Sequence, residues 1–272
     1  MKSRVLHIIT ILAAVLFTGC LSEMDIPAGT QRGSFAIALT ADSLMVEVET
    51  RAPRDLTDSE AASFLVTLSR NDEPVWERKT FSSITQEDRK QSIGEGYVVS
   101  AENVTADEAE SSNSGWGCRR YAGASETFSI VSGQITYVTV PCAMANAGLC
   151  VTFDHSFTSY FSDYAVTTDD ARNLKFNGSN AAQFDAENHL TAGTIAYYNT
   201  DANRQHTVDI IISASAGWEG TANLTRTLTL RAGKITRLNV KLNSTEPTEG
   251  NIMLSITYED FEEIAGEEIV LD

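Results

Sequence analysis

The sequence is poor in the side chains that most enzymes and metal proteins rely on. It has four cysteines, four histidines and five prolines in 272 residues. No CxxC pair and no HExxH occur, which excludes the common zinc spacings. No GxSxG elbow, phosphate-cradling glycine loop or dinucleotide fingerprint is present. A cofactor is therefore not expected, and neither is catalysis. Positive charge is scarce as well, with 20 Lys and Arg against 37 Asp and Glu and a formal net charge of −17. That imbalance excludes nucleic acid as a partner, because phosphate recognition needs basic patches. Long apolar runs are missing too. The longest, Ile8 to Phe17, is well short of the ~20 residues of a membrane-spanning helix.

That short run is nevertheless informative. Lys2 and Arg4 precede it and Phe17-Thr18-Gly19-Cys20 ends it. A basic start, a short apolar core and small residues before a break describe a secretory signal. The ending looks like a bacterial lipobox, in which the Cys20 thiol takes a diacylglyceryl group. Residues 1–19 are read as the signal peptide and 20–29 as a lipidated tether. A lipoprotein carries two or three acyl chains, each buried CH₂ contributing ~0.8 kcal/mol, so the anchor would hold. Cleavage removes Lys2 and Arg4 and no acid, leaving a chain two units more negative. Such a surface suits a solvated protein outside the cell.

One passage occurs nearly twice. "ETFSIVSGQITYVTV" (126–140) and "RTLTLRAGKITRLNV" (226–240) share Thr127/Thr227, Gly133/Gly233, Ile135/Ile235, Thr136/Thr236 and Val140/Val240. Each is an alternating run, a glycine turn and a second alternating run, which predicts a β-hairpin. "FLVTLS" (64–69) and "YAVTTD" (164–169) repeat the 100-residue offset. "GYVVSAEN" (96–103) matches "TVDIIISASA" (207–216), with loops taking up a shift.

The pattern predicts an all-β chain of two tandem β-sandwich domains, immunoglobulin- or transthyretin-like, at 30–142 and 146–243. Residues 143–147 are then a short linker. Helix is scarce: residues 57–63 either start one turn, since Thr57 and Glu60 fit a capping box, or form a polar loop. Residues 106–117, "ADEAESSNSGWG", read as an acidic loop. At 250–272 lies an extra C-terminal strand and tail, with Ile252, Leu254, Ile256 and Tyr258 alternating. It either joins its own sheet or is donated to another chain.

Candidate contact residues are few. Trp116 and Tyr121 flank Arg119 and Arg120 in a polar loop, where an aromatic face could stack on a sugar. Packing at the end of the sandwich is the competing role for Trp116. Beyond Cys20, an odd number of cysteines remains: Cys118, Cys142 and Cys150. Two bridges compete, Cys118–Cys142 and Cys142–Cys150, against three buried thiols.

Together, the lipobox, "ETRAP" (49–53), the "GEGYVVSA" strand (94–101), the "VPC" ending at Cys142 and "FDHSFTSYFSDYAV" (153–166) resemble Bacteroidetes-type surface lipoproteins catalogued as domain of unknown function 4493. That family is similar in architecture to fimbrillins. The resemblance implies an outer-membrane protein, lipid-anchored and facing the cell exterior, with a structural or adhesive role. It also implies maturation by an arginine-specific protease after the first strand. The matching bond lies between Arg51 and Ala52, with an ordinary loop arginine as the competing reading. Loss of that strand would open a groove for a neighbour's strand, so self-assembly is the implied partnership. A glycan-binding surface lipoprotein is the alternative function.

Overall fold

The computed structural model describes residues 31–41, 54–182, 192–215, 221–242, 252–260 and 263–269. These residues are mostly β, with several sheets and three α-helices of four to six residues.

The first half carries β1 (Arg32–Ala41), β2 (Arg54–Asp55), α1 (Asp58–Ala61), β3 (Leu65–Arg70), β4 (Glu73–Thr80), β5 (Lys90–Ser92), β6 (Gly94–Glu102), α2 (Ala106–Ser111), β7 (Tyr121–Ala124), β8 (Phe128–Ile130) and β9 (Ile135–Met144). They form one nine-stranded sheet, ordered β2-β1-β9-β7-β6-β3-β4, with β5 on β1 and β8 on β6. Strand β9 is the corner. Its residues 135–142 pair in parallel with β1, and Ala143 and Met144 pair with β7. The sheet therefore curls into a half-barrel, where two separate sheets were expected. A ten-residue strand is long enough to serve both layers.

The second half carries β10 (Ala147–Phe153), α3 (His155–Thr158), β11 (Asp163–Thr168), β12 (Lys175–Asn177), β13 (Ile195–Tyr198), β14 (Gln205–Ser215), β15 (Thr221–Arg231), β16 (Ile235–Leu242), β17 (Ile252–Asp260) and β18 (Glu263–Ile269). They make a five-stranded sheet, β13-β10-β16-β17-β18, and a four-stranded sheet, β12-β11-β14-β15. One hydrophobic cluster lies between these sheets, built on Leu149, Val151 and Phe153 from the first and Ile210, Ile212 and Leu230 from the second. A second cluster fills the curl of the first half, around Phe35, Phe64, Leu68, Tyr97 and Val140. Every residue of β10 is buried. That strand is apolar apart from Thr152, because both of its faces are covered.

The repeated passage is not a hairpin. Its two arms never pair with each other. Strand β15 pairs with β14, and β16 pairs in parallel with β10. In the first half β8 pairs with β6, and β9 pairs in parallel with β1. The passage is an arch that carries the chain to a different set of partners. Gly133 and Gly233 do sit at positive φ, 69° and 78°. That is where a residue without Cβ turns freely, but a tight turn of this kind serves an arch as well as a hairpin.

The duplication is visible in the register. Tyr97 faces Phe128 as Val208 faces Leu228. Val66 faces Ala101 as Val166 faces Ile212. The C-terminal strand β17 pairs antiparallel with β16 of its own chain, and β18 pairs with β17.

Candidate functional site

The loop between β6 and β7 is the most constructed irregular region. The sequence suggests an acidic coil there, but its first part is α2. Thr105 and Glu108 close a capping box: the Thr105 hydroxyl accepts from the Glu108 N–H, and the Glu108 carboxylate accepts from the Thr105 N–H. The T-x-x-E spacing at 105–108 signals that start. After α2 the chain turns through Asn113 and Ser114 at positive φ. It then places Trp116 edge-on against Phe176, with ring centroids 4.9 Å apart.

Trp116 therefore packs on the core of the second half. Its main chain contributes too, because the Tyr197 N–H donates to the Trp116 carbonyl at 2.7 Å. Tyr197 reaches the other way and packs on the first core. Arg119 Nε donates to the Tyr197 hydroxyl at 2.9 Å. Arg172 Nη1 donates to the carbonyls of Gly115 and Tyr197, at 3.1 and 2.8 Å. Its guanidinium lies over the Tyr198 ring, 3.7 Å from the centroid. Burial pushes the Tyr198 phenol up to about 12. Buried Asn146, between β9 and β10, accepts from the Arg120 N–H and donates to the Cys118 carbonyl. The loop is thus a brace between the two sets of strands.

Beside the brace is an open cleft of about 500 Å³, lined by Asn113, Trp116, Asn180, Thr194 and Tyr197. Half-buried Trp116 lines it and packs on Phe176 as well. Tyr121 is not part of it. That residue is 5% exposed and sits in the first core, so it offers no face to a ligand.

Neither candidate disulfide is formed. Cys118, Cys142 and Cys150 are not bridged. Cys142 belongs to the first core, whereas Cys150 packs with Ala182 and Ile235. The two strands that carry them direct these thiols into different clusters. Burial raises the Cys142 thiol to about 11. Cys20, Arg51 and Ala52 lie outside the described residues. Among the described residues no cluster of His, Cys, Asp or Glu could hold a metal ion, and no helix is long and apolar enough to cross a membrane.

The family model described as "Domain of unknown function (DUF4493)" matches residues 31–272. The chain belongs to the DUF4493 family. No curated protein matches it in sequence. Distant structural matches to this DUF4493 chain include fimbrial and cell-adhesion proteins. One is a fimbrial assembly protein from Parabacteroides distasonis, 12% identical, TM-score 0.45, covering 88% of this chain and 99% of that one. A putative cell adhesion protein from Bacteroides eggerthii is 10% identical, TM-score 0.40, covering 87% and 97%. The fimbrial anchor protein Mfa2 from Porphyromonas gingivalis is 9% identical, TM-score 0.36, covering 83% and 96%.

The sequence did not reveal the parts of Arg172 and Tyr197. Each lies some 80 residues or fewer from its partners in the brace, on strands and turns with no shared motif.

Proposed function

We propose that this protein is a lipid-anchored surface protein with a structural or adhesive role, a fimbrillin-like subunit or accessory. Cys20 carries the anchor in the outer membrane, and the β-rich body faces the exterior as two tandem sandwich-like domains, 30–142 and 146–243. The supporting features are the signal ending in Phe17-Thr18-Gly19-Cys20, the acidic surface and membership of DUF4493.

The observation that carries the reading is a difference between the two repeats. Strand β16 is flanked by β10 on one side and β17 on the other. Its counterpart β9 is flanked by β1, and among the described residues no strand pairs with its other side over 135–140; β7 comes alongside only from Pro141 on. Ile235 is 6% exposed, while Ile135 is 58% exposed, with Tyr137 at 82% beside it. An open edge bordered by exposed apolar side chains is where another strand adds. Pro141 lacks an N–H, so addition would be confined to the part of β9 before it. In this reading the partner is another surface subunit, joined by strand donation; the anchored form keeps Cys20 and β1, and a form matured by cutting between Arg51 and Ala52 has lost both.

Mass spectrometry of the N-terminus of protein from the native outer membrane tests this. A lipidated Cys20 supports the anchored form, and an N-terminus at Ala52 supports proteolytic assembly. An unboiled gel should show a heat-labile ladder if subunits polymerise. A mature chain starting elsewhere, unlipidated and monomeric under all conditions, would sink the proposal.

A further inference from the structure

The outer face of the curled sheet carries a second, larger cleft. It lies across the neighbouring strands β4, β3, β6 and β7 and measures about 580 Å³. That volume is in the usual range for a small-ligand site, roughly 300–1,000 Å³. Small side chains line its floor, among them Thr67, Ser100, Ala122 and Ala124. Arg78 stands on one side and Arg120 on the other, with Glu102 between them.

The charges are arranged unevenly. Arg120 donates twice to one oxygen of Glu102, from Nε at 3.1 Å and Nη2 at 2.7 Å. Arg78 Nη2 is 3.5 Å from the other oxygen, too long for a good hydrogen bond. Glu102 is 16% exposed and Arg120 is 24% exposed, whereas Arg78 is 60% exposed. One carboxylate therefore organises two guanidiniums, and the outer guanidinium keeps most of its fork for solvent. Glu108 is near enough to feel the Arg78 charge, but its carboxylate is engaged by the Thr105 hydroxyl and main chain. The cleft lining holds two arginines against one carboxylate, on a chain of net charge −17.

We infer that this cleft binds a single carboxylate carried on a hydroxyl-rich ligand, of the class of acidic sugar residues. A planar guanidinium fork matches a carboxylate with two parallel hydrogen bonds. Arg78 offers that fork, with one Glu102 oxygen 3.5 Å from its Nη2. The hydroxyls of Thr67 and Ser100 lie on the floor where ring hydroxyls would rest. No aromatic lines the cleft, so a neutral sugar would find no stacking platform. The chain's net charge of −17 repels a densely charged anionic polymer more strongly than a single carboxylate. This site is separate from the Trp116 cleft and does not depend on the assembly role.

Isothermal titration of the full-length lipoprotein in detergent, with free D-galacturonate, D-galactose and acetate, tests the inference. Galacturonate should bind in the millimolar range, with galactose and acetate at least about tenfold weaker. Arg78→Ala should weaken galacturonate by about tenfold or more, and Arg78→Lys should recover only part of the loss because the fork is gone. Glu102→Gln frees both guanidiniums and should tighten binding about threefold, which a merely structural ion pair would not do. Thermal unfolding of each variant confirms that it is folded. Absence of saturable heat with galacturonate would overturn the inference, as would unchanged binding in Arg78→Ala. Equal affinity for acetate, or tighter binding of an acidic peptide than of galacturonate, would overturn the ligand class.

Discussion

Arg172 lies over the Tyr198 ring at 3.7 Å while its Nη1 donates to the carbonyls of Gly115 and Tyr197. One side chain thus ties α2's loop, β13 and the β11–β12 turn together. Removing it leaves two carbonyls short of a donor and an aromatic face without its cation. Arg172→Ala is expected to cost about 2–4 kcal/mol in chemical denaturation. Arg172→Lys should keep most of that loss, because a single ammonium cannot reach both carbonyls and cover the ring.

Trp116 tests the brace from the other side. Its ring fills the space beside Phe176 at the margin of the second core. Trp116→Ala should destabilise by about 2–4 kcal/mol, and Trp116→Phe by less, since a ring remains to pack. Urea unfolding followed by circular dichroism measures both. An unchanged midpoint for Trp116→Ala would mean that the residue serves the open cleft rather than the core.

The arch glycines allow a cleaner backbone test. A Cβ at Gly133 would meet nothing within 4 Å, so only its φ of 69° resists substitution. Gly133→Ala should cost about 1–2 kcal/mol, the strain of a left-handed residue, and Gly133→Asn less. The same ranking should appear at Gly233, where φ is 78°. Thermal midpoints read it directly.

Asp88 sets a pH dependence. The Lys79 ammonium bonded to it, with the Thr85 N–H and hydroxyl also donating, holds its carboxyl down to about 2 from 3.8. The folded state thus favours the ionised form. Its contribution is complete above the unfolded value of 3.8 and disappears as the pH falls through about 2. Asp88→Asn should lower the unfolding midpoint at pH 7. The gap between variant and parent should close as acid is added from about pH 4 to pH 2. A gap that stays constant would show that Asp88 acts through shape and not through charge.

Thiol chemistry separates the three cysteines. Cys142 is buried with its thiol raised to about 11, and Cys150 is buried as well, while Cys118 is half-buried. Alkylation of the native protein at pH 8 followed by peptide mapping should label Cys118 first and leave Cys142 and Cys150 until unfolding. A bridged peptide in that map would contradict the unbridged arrangement.

Much of the fold was readable before any coordinates. The alternation in "FLVTLS" and "GYVVSAEN" is that of half-buried strands, and Val66, Leu68, Tyr97, Val99 and Ala101 are all buried. Thr57 and Glu60 form the anticipated capping box. The acidic run at 106–117 reads as loop by composition, yet Thr105 and Glu108 cap a helix at its start. Other features left no local trace. Trp116 and Tyr121 are five residues apart in one loop, yet they enter different cores. Arg78, Glu102 and Arg120 sit on separate segments that only the sheet brings side by side.

The sequence by itself determined the period of each strand, the positive-φ turns at Gly133 and Gly233, and the existence of two related halves. These are local properties, fixed by how a side chain alternates along a pleat and by what a residue without Cβ permits. The tertiary structure alone decided which strand each one meets. Both hairpin and arch satisfy the same alternation and the same glycine, since periodicity chooses a face and is silent about the neighbour. The choice falls to long-range packing, and here the arms of each repeat part because β9 finds β1 and β16 finds β10.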